Sequence, residues 1–62
     1  MLRVLIAEDE EMIRKGLVYT TDWLSMDCVV VAEAADGRDG YEKILEYRPD
    51  VVITDICMPF MA

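Results

Sequence analysis

Three short runs of apolar residues, rich in β-branched side chains, are spaced along the chain with helix-type patterns between them. The runs are 4–7 (Val-Leu-Ile-Ala), 29–32 (Val-Val-Val-Ala) and 51–54 (Val-Val-Ile-Thr). Short runs that are apolar throughout are typical of parallel strands covered on both faces. Strands that alternate with helices predict a parallel sheet with right-handed crossovers. The sequence therefore predicts an α/β fold with the element order β-α-β-α-β.

The two segments between these runs have the period of amphipathic helices. Residues 10–20 carry an apolar stripe and two oppositely charged pairs four residues apart, namely Ile13, Gly16, Leu17 and Thr20, with Glu10/Arg14 and Glu11/Lys15. The second helix is predicted to begin after Asp36, a typical N-cap residue, and to end before Pro49. We expect Gly40 to weaken this helix, because glycine has a low helix propensity.

The charge balance and the cysteines exclude several classes of function. Six basic and thirteen acidic residues give a net charge of −7, which opposes direct binding to DNA or to anionic membranes. The chain has no histidine, and Cys28 and Cys57 form no C-x-x-C pair, so a zinc site is not indicated. The first apolar run is too short for a signal peptide or a membrane span. We therefore expect a cytoplasmic protein with reduced thiols.

Acidic residues follow two of the three predicted strands. Glu8 and Asp9 come directly after the first, and Asp55 comes directly after the third. If these strands are adjacent and parallel, the three carboxylates meet at the edge of the sheet where ligands of such folds bind. Packed carboxylates repel one another unless a cation lies between them, and Mg²⁺ prefers one or two carboxylates plus a phosphate. Any one of these acids taken alone is better explained as a solvated loop residue, but their joint placement favours a magnesium-assisted phosphate site with Asp55 as nucleophile.

Two stretches of the chain resemble the receiver domains of bacterial two-component response regulators. They are V-L-I-A-E-D-E at 4–10 and P-D-V-V-I-T-D-I-C-M-P at 49–59, and the resemblance covers all 62 residues. It implies the amino-terminal β-α-β-α-β half of a flavodoxin-like (CheY-like) doubly wound parallel sheet. It also implies that Asp55 is the phosphoacceptor, and that Mg²⁺ is held by Asp9, by Glu8 through water, by Asp55 and by the backbone carbonyl of Cys57. Glu8 departs from the pattern, since many receivers have Asp there.

The resemblance also implies a biological role. A sensor histidine kinase would supply the phosphoryl group to Asp55, and a transcriptional output domain outside this sequence would bind DNA. The stretch D-W-L-S-M-D-C-V-V-V-A-E-A-A-D-G at 22–37 is similar to the receivers that are joined to AraC-type helix-turn-helix domains. Such a chain would not be an enzyme, apart from self-catalysed phosphorylation and dephosphorylation at Asp55.

A complete receiver is longer than this chain, and its later strands supply a hydroxyl residue and a lysine to the phosphoryl group. By this comparison residues 1–62 form a truncated receiver domain, and a second hypothesis is that it serves only as a folding or interaction module that cannot be phosphorylated. In the family the third strand lies inside the sheet, so residues 51–55 would form an exposed edge. An exposed apolar edge recruits another strand, which predicts self-association through this edge or through the uncovered sheet face, most simply as a two-fold homodimer.

Two other kinds of site are less well supported by the sequence than the magnesium site, and two aromatic residues are given a packing role. A phosphatase of the haloacid dehalogenase type would need an acid two residues after the nucleophile, where this chain has Cys57. Met58 and Met61 lie close to Cys57 and suggest a copper site only through their soft sulfur atoms. Trp23 and Tyr19 are interpreted as aromatic residues that pack the end of the first helix against the sheet.

Overall fold

The computed structural model describes residues 1–54, so the predictions for Asp55, Cys57, Met58 and Met61 fall outside the described residues. The elements in chain order are β1 (Leu2–Ala7), α1 (Glu11–Thr20), a short 3-10 helix (Leu24–Met26), β2 (Cys28–Ala34), α2 (Gly37–Tyr47) and β3 (Val51–Thr54). The predicted α/β order is thus confirmed.

The three strands form one parallel sheet in the order β2-β1-β3. The first strand of the chain therefore lies between the other two, as its apolar run predicts. Val4, Leu5, Ile6 and Ala7 are all at most 5% exposed. Successive strand residues point to opposite faces, so a run buried at every position indicates cover on both sides of the sheet.

Helix α2 packs on the face of the sheet that carries Leu5 and Ala7. Its Gly40 lies against Ala7 and Ala34, and these two alanines form a buried cluster with Leu5. The predicted N-cap is confirmed, because Asp36 Oδ1 accepts a 2.7 Å hydrogen bond from the Asp39 backbone N–H.

Helix α2 ends at Tyr47, just before Pro49, as the sequence predicts. Its last turn is closed by the Arg48 backbone N–H, which donates a hydrogen bond to the carbonyl of Ile44. Arg48 itself has a φ of +48°, a left-handed conformation that commonly ends helices.

Helix α1 departs from the prediction in its charge pairs and its burial. The predicted pairs of Arg14 with Glu10 and of Lys15 with Glu11 are wrong, because both cations pair with Glu33 of β2 instead. A carboxylate on the neighbouring strand is held in place by the sheet, whereas two long side chains on one helix face lose entropy when they pair. The helix has no buried residue, and Ile13 of its predicted apolar stripe is 49% exposed.

The prediction that Trp23 and Tyr19 pack the end of α1 against the sheet is correct for Trp23 in its contact with the helix end. The Trp23 indole N–H donates to the carbonyls of both Leu17 and Val18, each at 3.2 Å, so this ring closes the carboxyl end of α1. The prediction is wrong for Tyr19, which is 75% exposed.

Candidate functional site

The carboxyl ends of the three strands are level with one another. Ala7, the last residue of β1, is paired with Ala34 of β2 and with Thr54 of β3. Glu8 and Asp9 continue the chain from Ala7, and Asp55 is the next residue after Thr54. The adjacency of β1 and β3 on which the predicted site depends is therefore confirmed. The positions of Asp55 and Cys57 lie outside the described residues.

Glu8 is the one buried charged residue within residues 1–54, with 5% of its surface exposed. Its backbone N–H donates a 2.9 Å hydrogen bond to the carbonyl of Ala34, which prolongs the β1–β2 pairing by one residue. Its Oε1 accepts a 3.4 Å hydrogen bond from the Glu10 backbone N–H. A carboxylate taken out of water is costly unless charges or hydrogen bonds compensate it, and a cation bound beside Glu8 would add to that compensation.

Asp9 follows Glu8 but is exposed to solvent. The turn between β1 and α1 thus presents one buried carboxylate and one carboxylate in water, side by side in the chain. A cation that keeps part of its water shell suits this arrangement, because only some of its ligands have to come from the protein.

Arg14 connects this turn to β2. Its Nη1 donates a 2.7 Å hydrogen bond to the backbone carbonyl of Glu8, and its Nε lies 3.3 Å from Glu33 Oε1. The same carboxylate oxygen lies 2.8 Å from Lys15 Nζ. The hydrogen bond from Lys15, helped by the charge of Arg14, holds the pKa of Glu33 below its ordinary value, and the pKa of Lys15 is raised in turn.

Beside these residues an open cavity of about 370 Å³ lies between α1, β2 and α2. Lys43 reaches into this region and donates a 2.7 Å hydrogen bond to the carbonyl of Glu33. The lining holds three cations and two carboxylates: Arg14, Lys15, Lys43, Glu33 and Asp39. Ion pairs join these side chains to one another, so the charges of the cavity wall are compensated except for one positive charge in excess.

Sequence reasoning missed Glu33, although a signal for it was present. Glu33 follows the predicted run 29–32 just as Glu8 and Asp55 follow the other two runs. The same rule, an acid at the carboxyl end of a parallel strand, would have selected it. The structure places it with two cations rather than with Glu8, so it neutralises positive charge instead of adding to the acidic site.

The chemistry of the donors fits Mg²⁺. Glu8 and Asp9 offer carboxylate oxygens, the ligand type that this ion prefers, and the chain has no histidine to compete. Within residues 1–54, no three acidic or thiol side chains lie together as a metal site. A three-carboxylate site at this edge therefore needs Asp55.

Comparison with known proteins gives one consistent result. Residues 4–62 match the family described as the response regulator receiver domain. The chain is 38% identical over 61 residues to the uncharacterized transcriptional regulatory protein YesN of Bacillus subtilis, covering 98% of this chain and 17% of YesN. It is 43% identical over 58 residues to the oxygen regulatory protein NreC of Staphylococcus epidermidis, covering 94% of this chain and 26% of NreC.

A solved structure agrees with these relatives. The REC domain of AraT, a response regulator from Geobacillus stearothermophilus, superposes with a TM-score of 0.88 at 45% identity, over 97% of this chain and 46% of that one. No helix in residues 1–54 is long and apolar enough to cross a membrane. The chain spans a minor part of YesN and of NreC, and both are regulatory proteins by name. Its sequence and its parallel sheet place it in the family of two-component response regulator receiver domains.

Proposed function

We propose that this chain is the phosphoacceptor part of a response regulator, in which Asp55 receives a phosphoryl group from a sensor histidine kinase. The observation that carries the proposal is the pairing of Ala7 with Thr54. Because these residues are level on adjacent strands, the residues that follow them in the chain would leave the sheet at the same edge. Glu8, Asp9 and Asp55 are those residues.

The proposed reaction moves one phosphoryl group between two proteins. A carboxylate oxygen of Asp55 forms a bond to phosphorus, the bond from phosphorus to a nitrogen of the kinase histidine breaks, and the imidazole leaves. The electron pair of the broken bond stays on the imidazole nitrogen. The electron pair of the new bond must therefore come from the carboxylate oxygen, which requires Asp55 to be ionised beforehand. Phosphoryl transfer depends mainly on positioning and on neutralising the charge of the transferring group.

Mg²⁺ is the proposed cofactor, and when bound it would neutralise charge on the phosphoryl oxygens. Asp9 and Asp55 would be direct carboxylate ligands, Glu8 would act through water, and the Cys57 backbone carbonyl would complete the protein ligands. The burial of Glu8 supports this assignment, since a buried carboxylate favours a nearby cation.

The proposal extends to the partners of the whole protein. The similarity to YesN, which is named as a transcriptional regulatory protein, supports an output domain outside residues 1–62 that acts in transcription. That this domain binds DNA and is of the AraC type is part of the proposal and rests on the resemblance of residues 22–37. The net charge of −7 supports a division of labour in which this segment itself does not bind DNA. A cytoplasmic location and a role as signal receiver rather than as an enzyme belong to the same proposal.

The experiment that tests the proposal is intact-mass spectrometry of the purified protein after incubation with acetyl phosphate, with and without Mg²⁺. We expect the mass of one added phosphoryl group, formed only when Mg²⁺ is present. Asp55→Asn should abolish the adduct. Asp27→Asn is the matched control, because Asp27 is an exposed aspartate that precedes β2, at the opposite end of the sheet from Ala34 and Thr54.

The outcomes separate the hypotheses. An adduct that Asp55→Asn removes and Asp27→Asn retains would support the phosphoacceptor function. No adduct on folded protein would favour the second hypothesis, a module that folds and interacts but is not phosphorylated. An adduct that survives Asp55→Asn would contradict the assignment of the acceptor.

A further inference from the structure

Arg14 is a half-buried cation on α1 that contacts the backbone of the acidic turn rather than its carboxylates. Its side chain is 12% exposed, and its Nη1 donates to the Glu8 carbonyl at 2.7 Å. A charged side chain held this far from water loses hydration and needs fixed partners in return. Arg14 has two, the Glu8 carbonyl and the Glu33 carboxylate.

Together with β2, Arg14 fixes both polar groups of the Glu8 backbone. The N–H of Glu8 donates to the carbonyl of Ala34, and the carbonyl of Glu8 accepts from Arg14. The Glu8 carbonyl shares one rigid peptide plane with the backbone nitrogen of Asp9. Holding that carbonyl therefore sets the direction in which the chain enters Asp9, and with it the position from which the Asp9 carboxylate projects.

Glu33 holds the guanidinium in place. Its carboxylate contacts Arg14 Nε while the Arg14 Nη1 faces Glu8, so the planar group is gripped from two sides. A guanidinium presents several donors in a fixed plane and can serve both partners at once, which a lysine ammonium does less well. Glu33 also offsets the charge of Arg14, which reduces repulsion between Arg14 and a metal ion near Glu8.

We infer that Arg14 is a positioning residue for the metal site, acting through the Glu8 carbonyl to orient the Glu8 and Asp9 carboxylates toward a divalent cation. The inference rests on the proposed function for the metal ion alone, and it needs neither the kinase nor the output domain. Residues that orient metal ligands from outside the coordination shell typically change metal affinity by about 10- to 100-fold when replaced.

The inference is testable because an electrostatic role and a positioning role of Arg14 predict opposite effects of Arg14→Gln on the affinity for Mg²⁺. Removing a positive charge near two carboxylates strengthens their attraction for a cation, so an electrostatic role alone predicts tighter Mg²⁺ binding. Loss of positioning predicts weaker binding. Arg14→Lys keeps the charge and loses the planar fork, so charge alone predicts no change, whereas the inference predicts weaker binding here as well.

The measurement is the dissociation constant of Mg²⁺ by isothermal titration calorimetry, with circular dichroism to establish that each variant is folded. Arg38→Gln is the matched control, since Arg38 is an exposed arginine of α2 whose partner is Glu42. We expect Arg14→Gln and Arg14→Lys to weaken Mg²⁺ binding by about tenfold, while Arg38→Gln leaves it within about twofold of the unchanged protein. If Arg14→Gln does not fold, the Arg14→Lys result decides.

Failure of the inference and failure of the proposed function give different results. If the unchanged protein binds Mg²⁺ and Arg14→Lys binds it equally well, the positioning role is overturned while the metal site stands. Tighter binding of Mg²⁺ by Arg14→Gln would also overturn the positioning role, because it would show that Arg14 acts on the site only through its charge. If the folded, unchanged protein binds no Mg²⁺, the metal part of the proposed function is overturned and the inference falls with it.

Discussion

Gly40 of α2 lies so close to Ala7 of β1 that a β-carbon at position 40 would be 3.7 Å from the Ala7 Cβ. The same atom would be 3.7 Å from the Ala34 Cβ. Both distances are ordinary van der Waals contacts, so the space between helix and sheet accepts one more methyl group without displacing either strand.

We therefore expect Gly40→Ala to stabilise the fold by about 1 kcal/mol, because alanine has the higher helix propensity. In a domain of this size that corresponds to a rise in Tm of roughly 4–8 °C, measured by thermal denaturation followed by circular dichroism. Gly16→Ala is the comparison, since a β-carbon there meets no atom within 4 Å and gains propensity alone. A lower Tm for Gly40→Ala would show that the helix cannot approach the sheet as described.

The second prediction concerns Trp23, at the carboxyl end of α1. Its indole N–H serves two carbonyls at the end of α1, where carbonyl groups have no partner within the helix. Trp23→Phe keeps an aromatic ring but removes the donor, and we expect a loss of about 1 kcal/mol in the free energy of unfolding by urea. Tyr19→Phe should change it little, because Tyr19 is exposed. Equal effects of the two changes would contradict the capping role of Trp23.

Glu33 should make stability depend on pH. Its pKa in the folded state is lowered from the ordinary value of 4.5, chiefly by the hydrogen bond from Lys15. Its contribution is therefore fully present above about pH 4.5 and is lost as the pH falls through the lowered pKa. We expect the Tm difference between the unchanged protein and Glu33→Gln to be constant from neutral pH to about 4.5, and to shrink below it.

Glu46→Gln is the control for this pH series, because Glu46 lies exposed on α2. Its Tm should follow that of the unchanged protein over the whole range. A difference for Glu33→Gln that persists at the lowest pH would mean that the carboxylate charge is not what stabilises the α1–β2 contact.

The outer side of β3 is the subject of the fourth prediction. Val52 and Ile53 are 41% and 36% exposed, and within residues 1–54 this strand pairs with β1 alone. We expect the 62-residue chain to self-associate through this edge, and Ile53→Lys to reduce the association, as measured by sedimentation velocity over a range of concentrations. Leu24→Lys makes the same chemical change at an exposed residue outside the sheet and should not. A monomer at every concentration would refute the prediction.

Local signals in the sequence predicted the helices and strands well. Each signal acts within a few residues of its own position, so it can be interpreted without knowing the fold; examples are the run 4–7, the N-cap Asp36 and the helix end before Pro49. Strand β1 is nevertheless two residues longer than its apolar run. The backbone N–H of Arg3 is held by the Asp50 carboxylate and its carbonyl accepts from the Asp50 N–H, partners 47 residues away.

In the candidate site, too, some features could be predicted from local sequence signals and others depend on contacts between distant parts of the chain. The acids at positions 8, 9 and 55 follow from strand ends and could be selected from the sequence. The hydrogen bond from Arg14 to the Glu8 carbonyl could not be predicted, because every residue has a backbone carbonyl and the sequence does not show which one accepts. The pairing of Arg14 with Glu33 was obscured by Glu10, which offers a local partner at helical spacing. Only the register of β2 against β1 reveals which carboxylate is closer.

The central place of β1 has a consequence for the order in which the protein can acquire its structure. During synthesis β1 leaves the ribosome before β2 and β3, yet these later strands, which begin at Cys28 and at Val51, fill both of its hydrogen-bonding sides. Until then its apolar residues have no sheet in which to be buried, and such non-local pairing slows folding. The acidic turn after Ala7 is therefore fixed only once Ala34 has been translated and supplies the carbonyl that receives the Glu8 N–H.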